Sequence, residues 1–181
     1  MKQALLTGLS VCLLAACTMS QLNVKQAILS GQSEAFDATR RELLISVPLQ
    51  TNPGKTSQLA IERLGMPLSQ ATERIPNPHQ PSQQDEWIEL NYSQLKLGYY
   101  RSAASNQEQL IYLEVSGERH LLREGLHVGG SFADFQTLLG PLARVEANQF
   151  EACDRWGRGD CLRLKVSKGK VLSLEKMTWL D

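Results

Sequence analysis

The chain has 181 residues, of which 42% are hydrophobic, 21% charged and 6% aromatic. This composition is typical of one globular domain of ordinary size, and it excludes a disordered or collagen-like chain. The 19 Lys and Arg residues balance 19 Asp and Glu residues, so the formal net charge is zero. A neutral chain with few aromatic residues argues against a nucleic-acid-binding protein.

The segment 1–16 has the pattern of an export signal. An apolar stretch from Ala4 to Leu14 follows Lys2 and is too short to span a bilayer as a permanent helix. The sequence Leu14-Ala15-Ala16-Cys17 ends this stretch and resembles the bacterial lipobox. The resemblance implies cleavage before Cys17, a diacylglyceryl group on its sulfur and a third acyl chain on the new amino terminus. The alternative is an ordinary signal peptide that leaves Cys17 free.

Lipidation would also determine where the protein is located. Two or more acyl chains hold a protein stably on a membrane, because each buried methylene adds about 0.8 kcal/mol. Thr18, and not Asp, follows the cysteine, and for enteric-type bacteria the lipobox resemblance then implies transfer to the outer membrane, with the body facing the periplasm. Residues 17–33 are predicted to be a lipidated tether and residues 34–181 a periplasmic domain.

The first half of the body contains, in chain order, a predicted strand, a helix, a loop and three strands. Leu43–Leu49 is rich in apolar and β-branched residues, which predicts a strand. Thr56–Leu64 is predicted to be a helix, because a capping residue opens it and Gly-Met-Pro follows it. Residues 68–85 contain several prolines and polar residues and are predicted to form a long exposed loop. The three further strands are predicted at Trp87–Tyr92, Leu95–Tyr100 and Leu110–Val115.

The second half follows a similar order. Residues 121–128 form either a connecting segment or a strand. The sequence Gly129-Gly130-Ser131 leads into a predicted helix that ends at Leu139, before Gly140-Pro141. Three strands are then predicted, at Arg144–Cys153, Cys161–Val166 and Val171–Leu180.

One constant offset in residue number aligns the two halves around their helices. Gly54 falls on Gly129, Thr56 falls on Ser131, and Leu64-Gly65 falls on Leu139-Gly140. The match is short, and a chance origin stays open because helix stop signals are common. A true repeat would give two degenerate units, 43–116 and 121–181, each with a helix and three strands. The predicted fold class is α+β, with antiparallel strands and short helices packed on one face.

The same residues resemble a family of small outer-membrane lipoproteins, the SmpA/OmlA type, which includes the small lipoprotein of the β-barrel assembly machine. In that family a Gly-x-Ser/Thr turn opens a short helix, a Leu-Gly-x-Pro stop ends it, and antiparallel strands follow. Residues 56–67 and 130–141 resemble this pattern, although Gly140-Pro141 lacks the spacer residue. The β-lactamase-inhibitor-protein fold is a related tandem form. The resemblance implies a fold and carries no binding residue over to this chain.

The four cysteines leave one pair for a disulfide. Cys12 is removed with the signal, and Cys17 is lipidated if the lipobox is used. Cys153 and Cys161 remain, in an oxidising compartment that favours disulfides, and they flank a polar loop with two glycines. A redox pair or a metal site is the alternative. The spacing is not C-x-x-C, however, and no second pair of ligands has the spacing of a zinc site.

No catalytic motif is complete in the sequence. Gly54-Lys55-Thr56 lacks the glycine that a phosphate-binding loop needs at an earlier position, so a turn and a helix cap explain it. His120 and His127 have no helical zinc motif between them. Glu86 and Glu89 suit a sugar-binding edge, and equally the solvated face of a strand. The sequence therefore predicts no enzyme activity, no cofactor and no metal site.

Partner contact is predicted at two places. Arg155, Trp156 and Arg158 lie between the paired cysteines, and Trp and Arg are enriched at interface hot spots. The alternative is that Trp156 folds back over the core. Tyr99 and Tyr100, at a strand end, are the second pair of candidates.

The resulting functional prediction is a non-catalytic, lipid-anchored envelope protein that binds another periplasmic or outer-membrane protein as an assembly or accessory factor. The alternative is an inhibitor of cell-wall glycan hydrolysis, or an enzyme that acts in it. The oligomeric state stays open at this level.

Overall fold

The computed structural model describes residues 40–154 and 159–179, which form an α+β fold. The lipobox, the predicted tether and residues 155–158 lie outside this part of the chain. The described helices are residues 40–46 (α1), Ser57–Leu64 (α2) and Phe132–Leu139 (α3), with a 3-10 turn at Arg123–Gly125. None of these helices is long and apolar enough to cross a membrane. The described strands are Ser69–Pro76 (β1), Gln84–Tyr92 (β2), Leu95–Arg101 (β3), Glu108–Val115 (β4), Ala143–Glu146 (β5), Gln149–Cys153 (β6), Asp160–Ser167 (β7) and Lys170–Thr178 (β8).

The described strands form one antiparallel sheet in the order β1-β2-β3-β4-β8-β7-β6-β5. Strands β1–β4 follow α2 as one meander, and β5–β8 follow α3 as a second. The last strands of the two meanders, β4 and β8, pair with each other and join the halves. Within the described residues each of these helices is thus followed by four strands, so the prediction of three strands per unit is wrong.

Two strand assignments from the sequence are wrong for related reasons. β1 lies within the predicted loop 68–85. Its side chains are almost all exposed, so no apolar alternation marks it, and backbone pairing with β2 holds it in place. The predicted strand Arg144–Cys153 is two strands, β5 and β6, joined by a turn at residues 147–148. Both β1 and β5 are edge strands, where little burial leaves little trace in the sequence.

The prediction of a strand at Leu43–Leu49 is also wrong, because residues 40–46 are helical. Leu44 and Ile45 are both buried and belong to the hydrophobic core. Burial of these two adjacent apolar side chains from a helix outweighs the β preference of the segment, which is a weak local tendency.

Helices α2 and α3 lie where their capping signals predicted them. The Thr56 hydroxyl accepts a backbone N–H of the first turn of α2 at 3.2 Å, and the Ser131 hydroxyl does the same for α3 at 3.2 Å. Each helix ends at a glycine with a positive φ, 85° at Gly65 and 71° at Gly140, where an L side chain would strain the backbone. Local capping chemistry therefore determines both helices.

The hydrophobic core lies on one face of the sheet. Leu90, Leu97 and Leu113 are neighbours in register on β2, β3 and β4, and all three are buried. Ala60 of α2 and Phe135 of α3 belong to the same cluster, as do the buried residues of α1. The described helices therefore pack on this face, which we call the covered face.

Candidate functional site

The opposite face of the sheet carries none of the described helices, and we call it the open face. Its side chains alternate with the core positions along each strand. Most of them are half-buried among one another. On β2–β4 and β6–β8 they include Trp87, Glu89, Asn91, Lys96, Gly98, Tyr100, Tyr112, Glu114, Gln149, Glu151, Cys153, Cys161, Arg163, Lys165, Ser173, Glu175 and Met177.

One row across the open face joins aromatic and sulfur-containing residues. Gly98, Tyr112 and Met177 lie side by side on β3, β4 and β8, and Cys161 continues the row on β7. The Trp87 ring lies directly over Gly98. A Cβ atom added to that glycine would come within 2.3 Å of the indole, so the ring needs a glycine at this position. The ring centroids of Trp87 and Tyr112 are 6.4 Å apart, in the tilted geometry that aromatic pairs prefer. We call Trp87, Tyr112 and Met177 the aromatic cluster.

The neighbouring row is charged. It runs through Lys96, Glu114, Glu175, Arg163 and Glu151, each directly opposite the next. The Arg163 guanidinium lies 2.9 Å from a Glu151 oxygen and 3.9 Å from a Glu175 oxygen. Glu114 and Glu175 face each other across the junction of β4 and β8, an arrangement of like charges that destabilises a sheet. Glu114 forms no ion pair with any described residue.

Tyr112 lies where the two rows meet. Its hydroxyl donates a hydrogen bond to Glu114 at 3.0 Å. Burial raises the pKa of Tyr112, and the nearby charges of Glu114, Glu175 and Glu89 raise it further. The phenol therefore stays neutral and keeps its donor on Glu114, and the negative charge at the centre of the open face comes from carboxylates.

A disulfide lies at the end of the aromatic row. Cys153 and Cys161 are directly opposite on β6 and β7 and are bonded, which confirms the predicted pair. A Glu151 oxygen lies 3.6 Å from the Cys153 sulfur, so three residues of types that can bind metals cluster here. Two sulfurs bonded to each other are not the thiolates that bind metals, however. Outside the described residues lie the predicted contact residues between the cysteines, Arg155, Trp156 and Arg158.

Tyr99 and Tyr100 are buried, so neither is the exposed side chain that the prediction of partner contact assumed. Tyr99 is 0% exposed in the core, and Tyr100 is 9% exposed. The Tyr100 hydroxyl donates to the Asp85 carboxylate, which also accepts the Ala103 N–H at 2.8 Å and the Asn77 amide at 2.7 Å. These hydrogen bonds, led by that of Tyr100, lower the pKa of Asp85 despite its burial. Burial and the bond to Asp85 raise the pKa of Tyr100 to about 12.

Gly54-Lys55-Thr56 forms a turn and the start of a helix. The Ser57 N–H, at the beginning of α2, donates to the Glu108 carboxylate at 2.6 Å, and Arg101 lies 2.5 Å from the same carboxylate. Burial pushes the pKa of Glu108 up, but the hydrogen bonds from Ser57 and Arg101 outweigh it and hold the pKa below its ordinary value. An internal carboxylate therefore occupies the helix terminus at which a phosphate would bind.

The two carboxylates considered for glycan chemistry lie on opposite faces of the sheet. Glu86 lies on the covered face, 2.6 Å from Arg101. Glu89 lies on the open face, 3.9 Å from the Lys96 ammonium. Residues an odd number apart on a strand point to opposite sides, so this pair is not the acid and base of one glycosidic cleavage.

Sequence reasoning does not identify the aromatic cluster or the facing glutamates. Trp87 and Tyr112 lie within predicted strands and alternate with apolar core residues, which is a readable signal for a second face. The juxtaposition of Glu114 and Glu175 has no such signal, because it depends on the pairing of two strands from different halves of the chain.

Comparison with solved structures finds similarity to the uncharacterized protein yfeY from Escherichia coli. The two chains are 11% identical, with a TM-score of 0.39, over 74% of this chain and 91% of that chain. No family model matches this chain, and no curated protein matches it either. Functional inference therefore rests on the chemistry of the open face and of the amino-terminal sequence.

Proposed function

We propose that this protein is a non-catalytic, lipid-anchored envelope protein that binds another periplasmic or outer-membrane protein through the open face. One observation carries the proposal: helices cover one face of the sheet, while the other has an aromatic cluster at its centre. The free face of an antiparallel sheet is ordinarily polar, so half-buried aromatic residues there need a reason. Contact with a protein supplies one, because Trp and Tyr dominate interface hot spots.

The charges of the open face indicate the chemistry of the partner. Glu114 has no described counter-ion and faces Glu175, with Tyr112 beside it. A Lys or Arg side chain between the two carboxylates would relieve their repulsion and lie near an aromatic ring, where a cation is also favoured. We therefore expect a partner surface that presents a basic side chain among apolar contacts.

The membrane anchor in this proposal rests on the lipobox at residues 14–17. We expect Cys17→Ala to accumulate as an unlipidated precursor, because the modified sulfur and the cleavage site are both lost. Metabolic labelling with a palmitate analogue measures this. Label on the variant equal to that on the parent chain would contradict lipidation at Cys17.

The segment between the paired cysteines is proposed, on its sequence alone, as a further part of the contact surface. Its candidate residues are Arg155, Trp156 and Arg158. The flanking Cys153 and Cys161 lie on the open face, in the same row as Tyr112 and Met177. A contact surface that extends from the aromatic cluster toward the disulfide is consistent with both predictions.

We further infer that the two halves of the body are copies of one ancestral unit. The constant offset between the halves relates Thr56 to Ser131 and Gly65 to Gly140, and these residues have matching cap roles in α2 and α3. Each helix is followed by four described strands. The β-lactamase-inhibitor-protein fold, the tandem form that the sequence resembles, would have the same organisation. In this chain the two units meet at the β4–β8 junction, in the middle of the sheet.

Photo-crosslinking in whole cells that contain the full chain tests the proposed binding surface. A photoreactive amino acid at Lys96 or Lys165 on the open face should capture the same envelope protein, whereas one at Gln58 on α2 should not. Glu114→Lys should abolish capture, because it places a cation where the partner's basic side chain is expected. The matched variant Glu62→Lys, on the exposed side of α2, should leave capture unchanged.

The captured protein distinguishes the two functional hypotheses. A periplasmic or outer-membrane assembly protein supports the accessory role. A cell-wall hydrolase, together with altered muropeptide turnover, supports the alternative of an inhibitor. Capture that is equal from Gln58, or that survives Glu114→Lys, contradicts the open face as the binding surface.

A further inference from the structure

The sheet ends in two edge strands that are built differently. β5 has four residues and a shift in register, and the Arg144 guanidinium bonds to the carbonyls of Glu146 and Ala147 at 3.2 and 2.6 Å. Short, irregular, charged edges are a common protection against pairing with another chain. β1 has eight residues and pairs with β2 without any register shift. Its outer edge is therefore a long, regular template for another strand.

The backbone groups of β1 that point away from the sheet follow from its register. The Asn77 N–H donates to the Gln83 carbonyl at 2.9 Å, immediately beyond the end of the β1–β2 ladder. Because bonded and non-bonded pairs alternate in an antiparallel ladder, odd-numbered residues of β1 bond to β2. No described strand lies on the outer side of β1. The outward N–H and C=O groups belong to Gln70, Thr72 and Arg74.

We propose that β1 pairs antiparallel with β1 of a second copy of this chain, centred on Thr72. This register places Gln70 opposite Arg74 of the second copy. It places Ala71 opposite Glu73 of the second copy, and it joins the two Thr72 residues in a favourable pair. Centring the ladder on Glu73 or on Arg74 would instead oppose two like charges. The charge pattern of the strand thus excludes those two registers and allows the one centred on Thr72, in which no like charges face each other.

Exposed apolar side chains at the start of β1 favour the same occupant. Met66 is 81% exposed and Leu68 is 79% exposed, more than any other large hydrophobic residue that the structure describes. Leu68 directly precedes β1, with its N–H bonded to Asn91 of β2, and Pro76 ends the strand, so the proposed antiparallel register brings an apolar residue of each copy close to both ends of the ladder. A second copy therefore covers surface that the strand pairing alone would leave in water.

Co-purification of two differently tagged copies of the full chain, in excess detergent, tests this inference independently of any other partner. Parent copies should co-purify. Thr72→Lys and Thr72→Glu should each reduce self-association by on the order of tenfold, because each opposes two like charges. A mixture of the Thr72→Lys and Thr72→Glu copies should restore co-purification, since the two opposed residues then have opposite charges. Thr137→Lys, an exposed threonine of α3, is the matched control and should behave as the parent.

Each contrary result overturns the proposal in a defined way. Parent copies that do not co-purify exclude a second copy as the occupant of the edge. Single variants that co-purify like the parent exclude β1 as the interface. Failure of the mixed variants to associate excludes the register centred on Thr72. Thermal unfolding of each variant should match the parent, because the Thr72 side chain is exposed.

Discussion

The two halves of the described fold share a capped helix and a four-stranded meander, but different chemistry holds each together. At the helix position that the offset between the halves makes equivalent, α2 buries Ala60 and α3 buries Phe135. In the first half, the buried Asp85 carboxylate accepts hydrogen bonds from two loops, through the Asn77 side chain and the Ala103 N–H. A disulfide fastens the β6–β7 hairpin of the second. The same backbone arrangement can therefore be stabilised by different side-chain contacts, provided that each buried group is well packed or hydrogen-bonded.

The largest effect that tests this comparison is expected at the equivalent helix positions. Phe135→Ala should lower the free energy of unfolding by about 3–5 kcal/mol, because it leaves a cavity in the core. The reciprocal change, Ala60→Phe, should cost about 1–3 kcal/mol, because it overfills a site built around a small side chain. Urea unfolding of the full chain measures both. A small effect of Phe135→Ala would mean that α3 is not anchored through this ring.

Removal of the disulfide is the next largest effect. Changing Cys153→Ala together with Cys161→Ala should lower the free energy of unfolding by about 2–3 kcal/mol, because the unfolded chain regains freedom. The rate of amide hydrogen exchange should rise more in β6 and β7 than in β2 and β3, because hydrogen bonds to Asp85, and not a disulfide, stabilise the first half. Equal acceleration in both halves would contradict a local role for the bridge.

Loss of the hydroxyl at Tyr100 should destabilise the first half by about 1–2 kcal/mol near neutral pH, since Asp85 then loses one of its donors. The pKa of Asp85 is lowered from 3.8 in the fold, so its contribution to stability is present above that value and is lost as the pH falls. Tyr100→Phe removes the largest cause of that shift.

The pH dependence of unfolding provides the check on Tyr100→Phe. The variant should lose less stability than the parent on acidification, because the pKa of Asp85 moves back toward its ordinary value. At alkaline pH, Tyr100 also contributes to stability, because its pKa is raised from 10.0 to about 12 in the fold. This contribution is fully present below pH 10 and is lost as the pH rises toward 12. That loss should also diminish in the variant. Identical pH profiles for the two proteins would contradict the Tyr100–Asp85 coupling.

The smallest effects should show what the halves have in common. Thr56→Ala and Ser131→Ala each remove a side-chain cap from a helix of eight residues, and each should cost about 1 kcal/mol. Thermal unfolding of the two variants measures the difference. Costs that differ by more than twofold would indicate that the two caps are not equivalent, and would weaken the inference of a repeated unit.

Local sequence signals were sufficient for the features that depend on neighbouring residues. The caps at Thr56 and Ser131 and the stops at Gly65 and Gly140 located both helices, because capping is decided within one turn. Stretches rich in apolar residues located β2, β3, β4, β7 and β8, each of which has buried residues. The cysteine count predicted the disulfide, because Cys153 and Cys161 are the pair that the signal segment and the lipobox leave.

Tertiary structure alone decided the features that depend on distant partners. β1 forms because its backbone pairs with that of β2. Nearly all of the β1 side chains are exposed, so their burial does not stabilise the strand. Tyr99 is buried because it packs in the hydrophobic core, and Tyr100 is buried where its hydroxyl bonds to Asp85. Their position at a strand end in the sequence does not reveal either contact. The candidate site follows the same rule. Glu114 meets Glu175 only because β4 pairs with β8, and the free energy of that pairing comes from a core to which both halves of the chain contribute.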